Sequence, residues 1–559
     1  MHESLRWNGV RQSQAIASFP RRSAPALLLV LLLLLFALLT PAPVQAQACE
    51  SHAGEVQYGH LEGLRIDSIV VASSAPELPQ VVELLSRRLH TRTTTATLRR
   101  LFQQDEGTVI DTLRLAESMR GLHRSPLLAS VQLDTRECPG DGNVRLTLRT
   151  TDAWSARGRL RLGRDQGFAS LGEDNLFGSG RSVRTSFRVD QGQPGFGVAY
   201  TDPWVLGSGM ALSVSRDVYR AGSELRARVS SSPRSVLDPW RADLAWAGSS
   251  RQSLVNVGDR VNRIDLQALA ERRVRVDRTS VAAFGLGLEH VSAQLVATPS
   301  ALLVGPARVT RDFTGLTASA TRRSLTFVSR PLMPASGALV DLPSAMESDV
   351  ATSFGRDAVT GLPAQHLDAW LGKLWPVRGG GIFSANGWWS GYRDASGWSA
   401  GDGRLSLLAL APAARGQWSV HAASEVLLDP DPDTRTLLTY DPAARLLPAR
   451  GLAEAISLLT IERDVRIVPV GRSYVLGGAL FTSASRRLDL AGLEGKGRQD
   501  VLLVGSGLRL LPSRIGRATL RLDVAVPVGN DAFGHRPFVS FTVAPWFEHE
   551  RHRAGRRTP

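Results

Sequence analysis

The side chains able to do chemistry are scattered through this 559-residue chain and do not gather into a catalytic pattern. There is no Gly-x-Ser-x-Gly elbow, no His-Glu-x-x-His pair and no phosphate-binding glycine loop. Gly379-Gly-Gly381 reads as a turn between strands. The two cysteines, Cys49 and Cys138, are too few for a zinc site and are expected to form one disulfide in an oxidising compartment. No catalytic residue, metal, cofactor or enzymatic activity is therefore expected. What remains is charge. The formal net charge is +14, and the cations are almost all arginine, Lys373 and Lys496 being the lysines. Such a balance usually points to nucleic acid. The first fifty residues argue against it.

Arg21 and Arg22 precede an apolar run from Ala26 to Leu39, followed by the small residues Pro41-Ala-Pro-Val-Gln-Ala-Gln-Ala48. This is the charged, apolar and cleavable order of a secretory signal. The run is about 14 residues, short of the roughly 20 that a spanning helix needs. Residues 1–48 are thus read as a signal peptide and 49–57 as an N-terminal segment, with no nucleic-acid partner expected outside the cytoplasm. Beyond the signal no apolar run approaches the roughly 18 residues of a transmembrane helix. A barrel is still compatible with this composition, because only alternate residues of its strands need be apolar.

Two regions follow. Residues 58–153 read as a small α+β domain of order β-α-α-β-β. Residues 64–72 are β-branched and extended. Val81, Leu84, Leu85 and Leu89 recur at helical spacing within 78–90. Asp111 can cap a second helix carrying Leu115, Met119 and Leu122 on one face. Ala129, Val131 and Leu133 alternate with polar residues, and after Pro139-Gly-Asp-Gly142 so do Val144, Leu146 and Leu148. From Arg157 the chain changes character. Short alternating segments, such as 157–162, 182–189, 196–200 and 211–215, repeat between Gly, Pro, Asp and Ser. This is the signature of a transmembrane antiparallel β-barrel. At roughly 10 residues per strand plus loops, residues 157–547 accommodate about 16 strands, leaving a basic tail at 548–559. Trp204, Trp240, Trp388, Trp389 and Trp546 lie near turns and are expected at the membrane interface. The chain is thus expected to be mainly β.

Local motifs carry a resemblance. Gly172-Glu-Asp-Asn175-Leu176-Phe177-Gly178-Ser-Gly180 and Tyr200-Thr-Asp202-Pro203-Trp204 resemble successive early turns of barrels in the Omp85 superfamily (the bacterial surface antigen D15 type). Arg450-Gly451 resembles the Arg-Gly motif of a loop folded into these barrels. Gly505-Ser-Gly-Leu-Arg509 with Arg521-Leu-Asp-Val-Ala-Val-Pro527 resembles the hairpin before the last strand. The last strand is read as 538–547, with Val539, Phe541, Val543 and Phe547 on one face, Phe538 opening it and Pro545 near its end. The α+β domain and the link Thr151-Asp-Ala-Trp-Ser155 resemble a POTRA domain and its exit into the barrel.

The resemblance implies an outer-membrane protein whose single POTRA-like domain lies in the periplasm. Such domains bind extended polypeptide by adding it to a sheet edge. It implies insertion or translocation of unfolded or nascent client polypeptides, a surrounding of outer-membrane lipid and lipopolysaccharide, and periplasmic or lipoprotein partners. It also implies that Arg450 meets a lumenal carboxylate. The family's acidic position falls here near Thr482 or Ser483, so Asp523 and Glu462 are the alternative partners. A passive anion-favouring channel and a structural or surface-antigen barrel that binds one partner are the other two readings.

Overall fold

A computed structural model describes residues 58–545 except 76–90, 139–141, 154, 163–165, 191–192, 220–221, 232–236, 253–259, 278, 297–307, 326, 332–338, 344, 378–380, 395–396, 414–415, 429–452, 471–473, 490–497, 513–517 and 529–536. Cys49, Arg450, Gly451, Trp546, Phe547, the helix expected at 78–90, the signal and the basic tail lie outside the described residues.

The soluble domain contains β1 (Arg65–Ser74), α1 (Thr95–Phe102), α2 (Thr112–Arg124), β2 (Leu128–Cys138) and β3 (Asn143–Asp152). β3 is the centre of a three-stranded sheet, parallel to β1 and antiparallel to β2. The alternation at Val144, Leu146 and Leu148 becomes alternate burial, and these side chains pack with Ile66, Leu98 and Phe102 into one core. Asp111 caps α2 as expected, its Oδ1 accepting from the N–H of Leu113 at 2.9 Å and of Arg114 at 3.2 Å. α1 was not anticipated from the sequence. Its start runs through Thr93, Thr94, Thr95 and Thr97, a residue type that disfavours helix by propensity. It forms because Thr94 caps it and because Leu98 and Phe102, one turn apart, bury against the sheet.

Among the described residues twenty strands form the closed antiparallel barrel. They are β4 (Ala156–Leu162), β5 (Gln166–Leu176), β6 (Arg181–Asp190), β7 (Gln193–Asp202), β8 (Met210–Tyr219), β9 (Gly222–Ser231), β10 (Trp240–Gln252), β11 (Arg260–Arg275), β12 (Ser280–Val296), β13 (Arg308–Ser324), β16 (Glu347–Asp357), β17 (Pro363–Pro376), β18 (Ile382–Asp394), β19 (Gly397–Ala413), β20 (Gly416–Leu428), β21 (Ala453–Val470), β22 (Tyr474–Asp489), β23 (Arg498–Pro512), β24 (Ala518–Val528) and β25 (Phe538–Pro545). β14 (Phe327–Pro331) and β15 (Leu339–Pro343) make a separate two-stranded ribbon between β13 and β16. The expected count of about 16 is corrected to twenty. Allowing for loops of uniform length overestimated the spacing: only two residues separate β6 from β7, β8 from β9, β18 from β19 and β19 from β20.

The alternation sorts the two faces. On β12 Phe284, Leu286 and Leu288 are exposed outward, while Ala283 and Glu289 are buried inward. Leu316, Phe354, Leu371, Leu405 and Leu480 continue the outward apolar band around the barrel. No described helix is long and apolar enough to cross a membrane; the strands do so. An apolar exterior around a charged interior is the arrangement of a barrel that spans lipid.

At the soluble-domain end, Asp277 closes the connection from β11 to β12. It accepts from the hydroxyl and N–H of Thr279 and from Ser280. The Thr279 hydroxyl, then its N–H, hold the Asp277 carboxyl down at about 2. A carboxyl depressed in the fold contributes stability that is present above its ordinary value of about 3.9 and is lost as pH falls toward about 2. Acidification across that window should loosen this turn in the wild type and not in Asp277→Asn, measured as pH-dependent proteolysis at 276–280.

Candidate functional site: domain junction, lumenal ion cluster and closing seam

The first barrel turn is docked onto the soluble domain. Asn175 is almost fully buried; its Nδ2 donates to the Thr91 carbonyl at 3.1 Å and to the Thr93 hydroxyl at 2.9 Å, and its Oδ1 accepts from Gly180 N–H at 3.0 Å. The Gly178 carbonyl accepts from Thr94 N–H and from the Thr97 hydroxyl, both at 3.0 Å. Gly178 has φ +71°, and a Cβ there would lie 2.2 Å from the Arg92 carbonyl oxygen. Glycine is required on both grounds. Leu176 ends β5, and Phe177 points outward with 74% exposure.

The second turn completes the joint. Asp202 accepts from Arg181 Nε at 2.9 Å and from the Trp204 N–H at 2.9 Å. Pro203 and the Trp204 ring lie against Gly180, beside Leu127 of the soluble domain. Trp204, expected at the lipid interface, is instead buried in this joint at 7% exposure. Trp240 does face outward, at 62%. Both turn motifs therefore orient the soluble domain on the barrel. Gly178→Ala should release that domain while the barrel stays closed. The expected result is faster proteolysis between 153 and 156 with unchanged heat-modifiable mobility of the barrel.

Inside the barrel, Glu462 and Asp523, the alternative partners expected for Arg450, are brought together around Arg509; Arg450 itself lies outside the described residues. Arg509 on β23 is fully buried. It donates from Nη2 to Glu462 Oε1 at 2.8 Å and from Nη1 to Asp523 Oδ1 at 2.5 Å, with Asp464 3.5 Å from Nε. Arg521 adds a contact to Glu462 at 3.1 Å. Small residues make this reach possible. A Cβ on Gly507 would lie 2.1 Å from Asp523 Oδ1 and 2.5 Å from the Arg509 Nη1. Gly477 and Ala479 on β22 leave the space over which Arg509 reaches β21. Ser483, near the family's acidic position, bonds the Thr460 hydroxyl at 2.9 Å. Sequence reading missed Arg509 as a lumenal group, although it shares strand parity with Gly505 and Gly507.

Elsewhere on the inner wall, charges are also paired. Arg228 and Arg241 meet Asp243, and Arg241 meets Glu271 at 3.4 Å. Glu224 pairs with Arg226 and Arg251. On β12 to β18 a serine, a histidine and a carboxylate meet. His366 Nδ1 is 2.8 Å from Glu289 Oε1, and Nε2 is 3.4 Å from Ser390 Oγ. Asp368 lies 3.6 Å from the same Nε2, and Tyr392 stacks on the ring at 4.3 Å. Carboxylates at both ring nitrogens fix the imidazole as a bridge between strands, a poor setting for a general base acting on Ser390.

Among the described residues the barrel closes through β25 and β4 by three residue pairs: Val539 with Leu162, Ser540 with Arg161, and Phe541 with Leu160. By contrast β24 and β25 share eight, which run from Phe538 through Val543 to Pro545. Val539 faces outward at 45% exposure and Ser540 inward. β4 has 7 residues and β25 has 8, whereas β12 and β13 have 17 each. At about 3.3 Å per residue and a tilt near 40°, seven residues span roughly 18 Å of the about 25 Å apolar band. Pro545 ends the strand, where its missing N–H removes no interior ladder bond.

No protein-family model matches the sequence, and no curated protein matches it. Among solved structures, CdiB from Escherichia coli aligns at 12% identity over 87% of this chain and 76% of that one, with TM-score 0.44. CdiB from Acinetobacter baumannii aligns at 10% over 86% and 74%, with TM-score 0.40. BamA from Haemophilus ducreyi lacking POTRA domains 1–3 aligns at 12% over 85% of each chain, with TM-score 0.32. The chain is similar to these barrels along most of its length, and the site geometry stands apart from that likeness.

Removing one partner of a buried ion pair leaves an uncompensated charge, at a cost of about 3–5 kcal/mol. Arg509→Met should therefore lower the thermal stability of the barrel sharply. Adding Glu462→Gln and Asp523→Asn to it should recover much of the loss, read from the temperature at which heat-modifiable mobility disappears.

Proposed function

We propose that this chain is an outer-membrane barrel of the Omp85 type that inserts or translocates client polypeptides, its soluble domain lying in the periplasm. The observation that carries the reading is the seam between β4 and β25, joined by three pairs among the described residues. Each cross-strand pair contributes about 0.2–1 kcal/mol in side-chain terms, so this is the line along which the wall parts most easily. An opened seam offers two strand edges whose unpaired backbone groups accept an incoming strand of almost any sequence. The short strands flanking it thin the hydrocarbon that a client must cross.

The soluble domain supports the same reading. Its sheet ends at β2, which pairs only with β3 among the described residues, and thus offers another edge for extended polypeptide. β3 leads into β4 through residues 153–155, and the turn after β5 is fastened to the residues that begin α1. A client held on the domain is thereby delivered beside the first seam strand. Arg228, Arg241 and Arg509 in the lumen are engaged by carboxylates, which weakens the case for a simple anion channel. No nucleotide or metal enters this scheme; the driving free energy is that of client folding.

A disulfide across the seam tests it. Leu162→Cys with Val539→Cys places cysteines at Cα partners. Oxidation should lock the barrel, halt client assembly or secretion, and leave the protein folded, with reduction restoring the activity. Unchanged levels of outer-membrane and secreted proteins with the seam locked, or after depletion of the protein, would sink the reading.

A further inference from the structure

We propose that Arg356 and Arg393, on the outer face of the barrel at the end away from the soluble domain, bind the phosphate groups of a phosphorylated glycolipid headgroup in the outer leaflet. The identity of that leaflet rests on the outer-membrane reading above; the arrangement of charges does not.

Strand parity places both side chains on the lipid side. On β16, Val350 and Phe354 are exposed outward at 40% and 58%, and Arg356 follows with the same parity. On β17, Leu371 and Trp375 set the outward parity that Gln365 shares. Gln365 is the Cα partner of both Phe354 and Arg393. Register then defines the edge of the apolar band. Leu288, Leu316 and Phe354 are successive partners across β12, β13 and β16, and all three are exposed and apolar. The next outward row toward the far rim is His290, Thr314 and Arg356. The exterior changes from hydrocarbon-compatible to polar between these two rows, which is where headgroups lie.

The outward arginines differ in their partners. Several are satisfied by the protein, among them Arg486 at the far end, whose Nε donates to Asp500 Oδ1 at 3.0 Å. Arg272 lies over the Trp240 ring at 5.7 Å, and Arg322 reaches Ser280 Oγ at 3.3 Å. At the far end Arg356 and Arg393 are exposed, and neither has a hydrogen bond, ion pair or ring contact among the described residues. The same is true of Arg260, at the start of β11. Gln365 donates to Thr352 Oγ1 at 2.9 Å, giving a polar floor beside the arginines.

An arginine at the hydrocarbon boundary extends its head toward the interface and keeps its charge. Its planar fork of donors matches phosphate oxygens two at a time. Two strand spacings and two residues of offset put the Cα atoms of Arg356 and Arg393 roughly 12 Å apart. That spacing suits one headgroup carrying two phosphates better than a single zwitterionic phosphodiester, whose own ammonium competes for its phosphate.

The test uses the full-length protein in detergent, with bisphosphorylated lipid A, monophosphorylated lipid A and phosphatidylcholine as probes, retention being read by native mass spectrometry. Wild-type protein should retain bisphosphorylated lipid A most strongly and phosphatidylcholine least. The R356Q/R393Q variant should lose about tenfold in retention of the bisphosphorylated lipid, the loss of two bidentate charged contacts. R356K/R393K should fall between, since ammonium keeps charge but not the fork. Neither side chain makes a hydrogen bond, ion pair or ring contact among the described residues, so heat-modifiable mobility should be unchanged and certifies the fold of each variant. Equal retention by wild type and R356Q/R393Q, or equal retention of phosphatidylcholine, overturns the proposal. A protein that retains lipid A through these arginines but fails the seam-lock test keeps this site and loses the proposed function.

Discussion

In hydrocarbon, a backbone N–H or C=O without a partner costs several kcal/mol, and no water is present to supply one. That demand fixes the architecture: among the described residues, twenty strands in a ring, each bonded to two neighbours, with no free edge. A ring also has one junction that chain order cannot make local, since its first and last strands must meet. Among the described residues they meet through three pairs, where sequential neighbours elsewhere in the ring share between seven and sixteen. The junction is therefore both what completes the barrel and the place where completion is least secure. The short strands beside it compound this, because a wall too low for the bilayer is paid for by local thinning of the lipid.

A second constraint runs through the interior. Charged side chains facing inward have to be paired in a space that the wall itself encloses. The chain meets this with glycine beside arginine. Gly507 vacates the position that Arg509 and Asp523 fill, and Gly477 and Ala479 clear the strand over which Arg509 reaches Glu462. Aromatic rings cover other glycines: the Phe481 ring occupies the space at Gly505, and that of Trp370 the space at Gly372. The inner wall is thus built from large and small residues fitted across strands, and its ion pairs tie β21, β23 and β24 independently of their backbone bonds.

The parts of this arrangement legible in the sequence were those set by neighbours along the chain. Alternation at Val144, Leu146 and Leu148 gave β3, and Asp111 gave the start of α2. The turn motifs containing Asn175, Gly178, Asp202 and Trp204 could be recognised as turns. Their docking could not, because it depends on the Thr91 and Arg92 carbonyls more than eighty residues earlier. Arg509 was hidden for the same reason: its partner Glu462 is 47 residues away and becomes a neighbour only once the register of three strands is set. Strand number was misjudged because alternation marks where strands run but says little about how briefly they are connected. Glu462 and Asp523 were named as alternative partners of Arg450, because the acidic position implied by the resemblance falls near Thr482 or Ser483; that they hold Arg509 was not foreseen. The loop arginine Arg450 lies outside the described residues.

The fastening of Gly178 to the start of α1 has a bearing on the order of assembly. The Thr94 N–H and the Thr97 hydroxyl both spend their bonds on a carbonyl that lies beyond two barrel strands. The helix is already capped by the Thr94 side chain, so these two bonds add a tether. They hold the first hairpin, and with it β4, at a fixed station on the domain. β25, the last described strand in the sequence, then has a fixed edge to pair with. The joint gives a ring without a natural beginning a defined starting edge.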